Sequence, residues 1–244
     1  MLRVGLMLYT LREECERDLE GTLHRVARLG YEGVEFWHLH GHEPARVRGW
    51  LDEAGLVAAG AHASLDRLEN ELPLLAEELR LLGTDRVALS YVEPEPALAA
   101  RIASVARAVD AVGLRFGVHN HAAELQPFAG GVSFLDMLRE LPAELLWFEL
   151  DLGWIWHAGF DPVEELAKTA GRCPLVHLKD FRNRLSRDDV PIGDGAVGYE
   201  RVLPAVVRAG TAWALVEEDE VEGDPIEAVA RSLRAVRRLL EEER

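Results

Sequence analysis

One pattern recurs eight times along the chain and constrains its fold more than any other feature. Each unit is a short apolar run of strand length, followed by a segment whose apolar residues recur at helical spacing. In the first unit, residues 2–9 predict a strand, residues 15–29 predict a helix, and Gly30 ends that helix. Further strands are predicted at 33–37, 56–62, 85–90, 114–121, 145–151, 174–180 and 212–217, and further helices at 44–54, 69–82, 96–112, 134–141, 162–170, 199–209 and 225–240.

Strands that alternate with helices in this way predict a parallel sheet covered by helices. Eight units fit a single (β/α)8 TIM barrel over residues 1–244 as one domain, since no Pro, Gly or Ser-rich linker divides the chain. An open doubly wound sheet is the alternative. Against it, the first strand-to-helix turn has no G-x-G-x-x-G, and no G-x-x-x-x-G-K string occurs. In a barrel, the long irregular segment 183–198 would lie over the mouth.

The charge balance limits the partners of the chain. Its formal net charge is -16, and its arginines are spread among glutamates at helical spacing. Nucleic-acid binding requires clustered Lys and Arg that displace counterions from phosphates, so no nucleic-acid partner is expected. The 48% of hydrophobic and 29% of charged residues are typical of a globular protein.

The sequence shows no sign of a membrane partner. No apolar run approaches the roughly 18 residues of a membrane span, and the N-terminal residues lack the layout of a signal peptide. We therefore expect a cytoplasmic protein. Its two cysteines, Cys15 and Cys173, lie far apart without C-x-x-C spacing, which argues against a disulfide framework or a zinc knuckle. The sequence leaves a homo-oligomer open.

Polar residues gather where the predicted strands end. Side chains alternate along 174–180, so His177 and Lys179 share one face with Leu175 at the C-terminal end of the strand. Parallel α/β folds build their sites at that end. A lone strand-end histidine is more often a hydrogen-bonded scaffold residue than a ligand, so only the whole set indicates a site. The other polar residues near strand ends are Glu35, His62, His119, His121, Glu149, Asp151, Glu217 and Asp219.

A set of this composition favours a bound cation. Carboxylates and imidazoles gathered at one mouth would repel one another or be desolvated without one. Mixed oxygen and imidazole ligation from separate strands fits a divalent metal ion such as Mn²⁺, Mg²⁺, Co²⁺ or Zn²⁺, and the lack of a thiolate argues against structural zinc. The ion would act as a Lewis acid on hydroxyl or carbonyl oxygens and acidify an adjacent C–H or bound O–H.

Five strings carry a family resemblance. They are G-V-H-N-H at 117–121, E-L-D-L-G-W at 149–154, V-H-L-K-D at 176–180, I-G-D-G at 192–195 and V-E-E-D at 216–219. In this order and spacing they resemble the sugar phosphate isomerase/epimerase group of the xylose isomerase-like TIM barrel superfamily. The resemblance covers essentially the whole chain, including G-V-E at 33–35.

The resemblance implies a metal held by an acidic residue after strand five, an aspartate after strand six, a histidine after strand seven and a glutamate after strand eight. Carried over by position, the ligands are His119, Asp151, His177 and Glu217. His119 departs from the pattern, because epimerases of the superfamily use glutamates on strands five and eight as a two-sided acid/base pair. The H-N-H string looks similar to inosose dehydratases and keto-sugar-processing enzymes. Trp154 also departs, since many epimerases carry a substrate-contacting histidine there.

Other strand-end residues are expected to act on the substrate. Glu217 or His121 is the expected base, and Lys179 would stabilise a developing enolate. Glu124 would orient His121 or bind a hydroxyl. The predicted substrate-binding residues are Glu35, His62, Glu124 and Trp154, with Trp37, Trp156 and Phe181 as candidates for an apolar wall and with His157 and Asp180 as structural residues.

The sequence thus predicts a metal-dependent sugar, sugar phosphate or keto-sugar isomerase or epimerase that transfers a proton next to a carbonyl. A dehydratase or lyase that acts on an inosose or 3-keto-sugar through the same enolate is the alternative. An inactive sugar-binding barrel is a second alternative, which His119 allows but Asp151, His177 and Glu217 disfavour. A DNA-repair endonuclease on this barrel is disfavoured by the acidic balance and by too few ligands for three metals. The expected partner is a small-molecule sugar or cyclitol.

Overall fold

The computed structural model describes residues 2–169 and 171–242. Its barrel strands are β1 (Arg3–Met7), β2 (Gly33–Phe36), β3 (Val57–Ala63), β4 (Arg86–Leu89), β5 (Arg115–His119), β6 (Trp147–Asp151), β7 (Leu175–Leu178) and β10 (Trp213–Val216). They close in the order β1-β10-β7-β6-β5-β4-β3-β2, and the pairs are parallel. The predicted single (β/α)8 TIM barrel is confirmed. A separate antiparallel pair is formed by β8 (Asp180–Phe181) and β9 (Asp189–Val190).

Helices surround the barrel and cover it with their apolar sides. Gly30 ends the first helix with a φ of 103°, in the left-handed region where glycine is favoured, as predicted. A kink at Asp18 interrupts the same helix. The helices are α1 (Arg12–Leu29), α2 (Pro44–Ala54), α3 (Leu65–Asn70), α4 (Leu72–Leu82), α5 (Leu98–Ala111), α6 (Phe134–Arg139), α7 (Leu152–His157), α8 (Pro162–Ala167), α9 (Tyr199–Arg208) and α10 (Pro225–Glu242).

The N-terminal end of the barrel interior is filled by apolar side chains. Two glycines make room for the largest of them. A Cβ on Gly33 would lie 2.6 Å from the ring of Trp213, and a Cβ on Gly117 would lie 2.5 Å from the ring of Trp147. The barrel is therefore plugged at this end, as is usual for the fold. The buried cluster consists of Ala59, Ala88, Trp147, Leu175, Trp213 and Leu215.

The interior becomes polar towards the C-terminal ends of the strands. On β7, Leu175 belongs to the apolar plug, and His177, two residues later, shares the interior face, as predicted. Along β6 the same alternation leads from Trp147 to Glu149 and Asp151. The register places Asp151 beside His177 on the neighbouring strand. Polar groups from adjacent strands thus meet at one level of the barrel.

The structure differs from the prediction in two helical regions. The helix predicted at 69–82 is two helices, α3 and α4. The first begins early because the Ser64 side chain accepts the N–H of Arg67 as an N-cap. A short helix that was not predicted, α7, follows β6 directly. Asp151 starts it by accepting the N–H of Trp154 at 2.8 Å.

The segment after β7 is more ordered than predicted. β7 ends at Leu178, and Asp180 begins the β8–β9 hairpin instead of continuing the strand. The carboxylate of Asp180 accepts the N–H groups of Gly193, Gly195 and Val197 at 2.9, 3.2 and 3.1 Å. These bonds fasten the loop before α9 to the end of β7. Asp180 therefore has the structural role expected from the sequence.

Neither a membrane helix nor a disulfide is found among residues 2–169 and 171–242. None of the described helices is long and apolar enough to cross a bilayer. Cys15 and Cys173 are both buried and free. Burial raises the pKa of each thiol to about 12, so neither is a reactive thiolate.

Candidate active site

The four predicted metal ligands meet at the C-terminal end of the barrel. His119 ends β5, Asp151 ends β6, His177 lies on β7, and Glu217 follows β10 directly. Each of these buried residues offers a ligand atom, and the four atoms all lie within 4.8 Å of one another. Parallel pairing explains their proximity, because these four strands are consecutive in the barrel and end side by side.

His177 lies between two carboxylates, and both of its ring nitrogens have a partner. Its Nδ1 lies 2.9 Å from Oε2 of Glu217, and its Nε2 lies 2.7 Å from Oε2 of Glu35. Burial disfavours a charged ring. The charges of Glu149 and Glu217 and the two hydrogen bonds outweigh burial and raise the pKa of His177 well above its ordinary value. Without a cation, a protonated His177 donates to both carboxylates. As a metal ligand the ring would be neutral, with its proton on Nε2 towards Glu35 and a lone pair on Nδ1.

A second histidine–carboxylate pair lies beside the first. The Nε2 of His62 lies 2.6 Å from Oε2 of Glu149 and 3.6 Å from Oε2 of Glu35. Burial opposes ionisation of Glu149, but the charges of His177 and His62 lower its pKa well below its ordinary value. Burial and the charge of Glu149 raise the pKa of Glu35 to about 7. Of these two carboxylates, Glu149 holds the negative charge and Glu35 takes up a proton more readily.

The sequence predicts no role for Glu149 beyond its place near a strand end, although the residue lies at the centre of the cluster. It forms a second possible ligand group with His62, His119 and His177, whose ligand atoms also lie within 4.8 Å of one another. The sequence signal was its position two residues before Asp151, which places both side chains on the interior face of β6.

Lys179 supplies a buried positive charge beside Glu217. Its Nζ lies 2.6 Å from Oδ2 of Asp219, 3.2 Å from Oε2 of Glu217 and 3.8 Å from Oδ2 of Asp151. Burial opposes the charge on Lys179, but these carboxylates outweigh it and raise the pKa of the ammonium. Burial likewise opposes ionisation of Glu217, whereas Lys179 and His177 lower its pKa well below its ordinary value. Asp219, which has no predicted role, helps to hold this pair.

Two atoms of the predicted ligand set lack hydrogen-bond partners among the described residues. The buried Oδ2 of Asp151 has none, although Oδ1 accepts the N–H of Trp154, and Nδ1 of His119 has none either. Burial raises the pKa of Asp151 to about 6, whereas burial and His177 lower the pKa of His119 well below its ordinary value. A neutral imidazole offers a lone pair to a cation, which would also satisfy the buried carboxylate oxygen. The residues present therefore fit a divalent ion.

His121 and Glu124 form a local pair after β5. The backbone N–H of His121 donates to Oε2 of Glu124 at 2.9 Å, and the His121 Nδ1 lies 3.7 Å from the other oxygen. Glu124 is buried, whereas the side chain of His121 is 29% exposed. His121 thus reaches the space above the cluster, and Glu124 orients it.

A cavity of about 980 Å³ lies above this cluster. Its wall is built from the C-terminal ends of barrel strands and from the loops and helices that follow them. Among the predicted site residues, the wall includes His62, His119, His121, Trp154 and Glu217.

Other predicted site residues lie beneath the wall. Asp151, His177 and Lys179 are buried and belong to the cluster itself. Glu35 and Glu124, for which substrate binding is predicted, are also buried and do not line the cavity. Since Glu35 contacts His177 and Glu124 contacts His121, their positions favour orientation of those histidines over direct contact with substrate.

The predicted apolar wall is only partly present. Trp37 and Trp154 line the cavity, but Trp156 and Phe181 do not. The guanidinium of Arg184 lies over the ring of Trp156, 4.6 Å from its centroid. Phe181 is buried against Trp154, with ring centroids 5.1 Å apart. It supports a wall residue from behind.

The family model described as Xylose isomerase-like TIM barrel matches residues 23–239. The chain belongs to this family. The match begins within α1 and ends within α10, so it includes seven of the eight barrel strands and all four predicted ligand positions. The family resemblance predicted from the sequence strings is confirmed.

The proteins that this chain is similar to are named for different activities. An inosose dehydratase of Geobacillus kaustophilus (strain HTA426) is 24% identical over 246 aligned positions, covering 81% of this chain and 79% of the relative. A sugar phosphate isomerase/epimerase from Parabacteroides distasonis ATCC 8503 superposes with a TM-score of 0.83 at 18% identity, covering 96% of this chain and 97% of that one. The probable 3-DHS dehydratase AsbF from Bacillus anthracis superposes with a TM-score of 0.80 at 16% identity, covering 97% of this chain and 99% of that one. Both solved structures share the fold.

Proposed function

We propose that this protein is a divalent-metal-dependent enzyme that removes a proton next to a carbonyl group of a sugar, keto-sugar or cyclitol. The observation that carries the proposal is the buried set His119, Asp151, His177 and Glu217, whose ligand atoms lie within 4.8 Å of one another below a cavity. Proton abstraction next to a carbonyl is the step that isomerases, epimerases and dehydratases of such substrates have in common.

The same four residues would hold the metal ion, with Mn²⁺, Mg²⁺, Co²⁺ and Zn²⁺ as candidates. When bound, such an ion supplies Lewis-acid polarisation of carbonyl and hydroxyl oxygens. The unpartnered atoms of Asp151 and His119 support this assignment.

Glu217 is the proposed base. It lines the cavity, and its lowered pKa keeps it ionised at neutral pH. The ammonium of Lys179, 3.2 Å from Glu217, adds positive charge near the position where an enolate oxygen would develop. A carboxylate that accepts the proton and a cation that stabilises the resulting negative charge are both needed for this step.

In an isomerase or epimerase, a second group returns the proton at another carbon or from the other face. His121 is the proposed second group, because it lines the cavity and Glu124 fixes its backbone. Reprotonation of the enolate by His121 gives the isomerised product.

A dehydratase is the second candidate, and two observations favour it. The curated relative at 24% identity is named as an inosose dehydratase. His119 also replaces one carboxylate of the symmetric pair that epimerisation uses, and its lowered pKa keeps it neutral and unable to deliver a proton. In a dehydratase the enolate instead expels a β-hydroxyl group, which takes up the proton that Glu217 removed and leaves as water.

Turnover in deuterium oxide separates these outcomes. The purified, metal-loaded protein is incubated with a panel of keto-sugars and inososes, and products are followed by NMR and mass spectrometry. An isomerase or epimerase incorporates solvent deuterium without loss of water, whereas a dehydratase product has lost water. No exchange and no loss of water across the panel would count against the proposal.

Metal analysis addresses the inactive sugar-binding barrel. Stoichiometric divalent metal in the purified protein is expected for the enzyme. A protein that binds sugars with the same affinity before and after chelation, and that holds no metal, would fit a binding barrel instead.

A further inference from the structure

The cavity is larger than a single sugar ring requires. Pockets that bury drug-sized ligands span roughly 300–1,000 Å³. The volume of about 980 Å³ lies at the upper end of that range, whereas a monosaccharide is much smaller than a drug. The metal-ligand cluster lies at the ends of β5, β6, β7 and β10, which is one side of the barrel. The other side of the cavity has room for a second group.

Two aromatic rings line that other side. Tyr9 follows β1 and Trp37 follows β2, and both belong to the cavity wall. Their ring centroids lie 5.3 Å apart with planes at 85°. Trp37 is 36% exposed, so part of its ring is free to contact a ligand. Exposed aromatic rings in a cavity wall are suited to the apolar face of a ring-shaped ligand.

The charges of the wall disfavour an anionic substituent. One arginine of the wall, Arg67, is neutralised by Glu78 at 2.6 Å. The other, Arg187, lies over the ring of Trp154, 5.2 Å from its centroid. Lys179 offsets one of the charges of Glu217 and Asp219. The remaining carboxylates of the wall still outnumber the guanidinium of Arg187, so a phosphate dianion away from a bound ion would meet an excess of negative charge. The carboxylates of the wall are Glu78, Asp189, Glu217, Asp219 and Glu220.

We propose that the substrate carries an uncharged second sugar ring, joined by a glycosidic bond, that stacks on Trp37 while its keto-sugar ring reaches Glu217. This proposal rests on the proposed function for the position of the reacting ring. The second ring accounts for the size of the cavity, its aromatic side and its acidic wall. The substrate class is then a keto-disaccharide or another glycoside of a keto-sugar, and not a sugar phosphate.

Binding tests the second-ring site without requiring turnover. Calorimetric titrations of the metal-loaded protein would compare glucose, glucose 6-phosphate and cellobiose. We expect cellobiose to bind roughly threefold to tenfold more tightly than glucose, the range that one stacked ring gives. Trp37→Ala should remove this difference, whereas Leu74→Ala, which alters an equally apolar residue that is 60% exposed and outside the cavity, should preserve it. Equal binding of the two sugars, or tightest binding of glucose 6-phosphate, would overturn the proposal.

Exchange kinetics then test the same site during catalysis. Deuterium incorporation would be compared for fructose, fructose 6-phosphate and the glucosyl-fructose disaccharide cellobiulose. The disaccharide should have the highest kcat/KM, and Trp37→Ala should lower that value several-fold more than the value for fructose. Deuterium exchange without a preference for the disaccharide would overturn the second-ring site but would leave the proposed function intact. A preference for cellobiose in binding, without exchange on any substrate, supports the second-ring site and counts against the proposed function.

Discussion

The Nε2 atom of His177 lies 2.7 Å from Oε2 of Glu35, so a carboxylate on β2 holds a proposed metal ligand on β7. The two strands are not neighbours, and the contact crosses the barrel interior. Glu35 is buried and does not line the cavity. A carboxylate that accepts one N–H of a ligating histidine fixes its tautomer and orientation and raises its basicity. In His177 this arrangement leaves Nδ1 on the side of Glu217, 2.9 Å away.

Substitution of Glu35 should therefore weaken metal binding without removing a ligand. Glu35→Gln keeps the size of the side chain but loses the negative charge beside His177. We expect about a tenfold to hundredfold loss of Mn²⁺ affinity, the range typical of groups that orient a ligand. Calorimetric titration of the metal-free protein with Mn²⁺ measures this loss directly.

Glu43→Gln is the matched control, because Glu43 is exposed at the start of α2 and lies outside the cluster. Its Mn²⁺ affinity should equal that of the unsubstituted protein. If Glu35→Gln bound Mn²⁺ as tightly as Glu43→Gln, the contact with His177 would be structural and the four-residue ligand set would lose one of its supports.

Two features of the sequence predict this site: the alternation of side chains along each strand and the order of the strands along the chain. His177 and Lys179 alternate with Leu178, so their common face follows from the sequence alone. The recurrence of strands then places their ends at one mouth, which brings Asp151, His177 and Glu217 together. These properties depend on local periodicity and on the order of the units, both of which a single sequence contains.

Contacts across the interior could not be predicted in the same way. The pairing of Glu35 with His177 depends on the register around the whole barrel, and that register shifts between Val34 and Glu35 where β2 pairs with β3. The sequence carries no evident signal for this irregularity. The hydrogen bonds of Asp180 could not be predicted either, because the N–H groups that it accepts belong to Gly193 and Gly195, thirteen and fifteen residues further along the chain.

The short helix α7 was missed for a local reason. It has only six residues and includes Gly153, a poor helix former. Tertiary contacts fix its position: a Cβ on Gly153 would lie 2.2 Å from the carbonyl oxygen of Lys179, so the two segments touch directly. Because α7 carries Trp154 into the cavity wall, this packing also explains how a tryptophan reaches the site.

The proposed role of Glu217 as the base leads to a specific prediction. Glu217→Gln keeps an oxygen for the metal but cannot accept a proton. Deuterium exchange should fall by about 10² to 10⁴, the usual contribution of a general base, whereas the affinity for a non-reacting sugar should change much less. Exchange rates by NMR, calorimetric affinity and bound metal are measured on the same preparation.

Bound metal is the decisive control for this variant. If Glu217→Gln retains metal but loses exchange, the proton-transfer role is supported. Near-normal exchange would instead move the base to His121 or to the buried Glu149.

Substitution of His121 should separate substrate chemistry from metal binding. His121→Asn removes the imidazole at the cavity wall but leaves the four proposed ligands intact. Turnover should fall by about 10² to 10⁴, as expected when one acid/base group is lost, and metal content should remain that of the unsubstituted protein. Elemental analysis and product formation test the two parts. A loss of metal equal to the loss of turnover would show that His121 belongs to the ion site.

Lys179 should contribute to stability as well as to chemistry. Its ammonium lies within 3.8 Å of the carboxylates of Asp219, Glu217 and Asp151. Lys179, Glu217 and Asp151 are buried, whereas the side chain of Asp219 is partly exposed. Removal of one partner from a buried ion pair costs about 3–5 kcal/mol, because the remaining charges stay desolvated and uncompensated. Lys179→Met keeps the apolar stem, so the metal-free variant should lose about that much free energy of unfolding in a urea titration.

A bound divalent ion should offset part of this loss, since its charge acts on the same carboxylates. The rise in Tm on addition of Mn²⁺ should therefore be larger for Lys179→Met than for the unsubstituted protein. Lys168→Met is the control: Lys168 pairs with Glu165 at 2.6 Å, but its side chain is 51% exposed, so the loss should stay within about 1 kcal/mol. Both variants could instead lose the same small free energy of unfolding and show the same rise in Tm with Mn²⁺. The charge of Lys179 would then not stabilise the carboxylates around it, and its proposed role beside Glu217 would have to be abandoned.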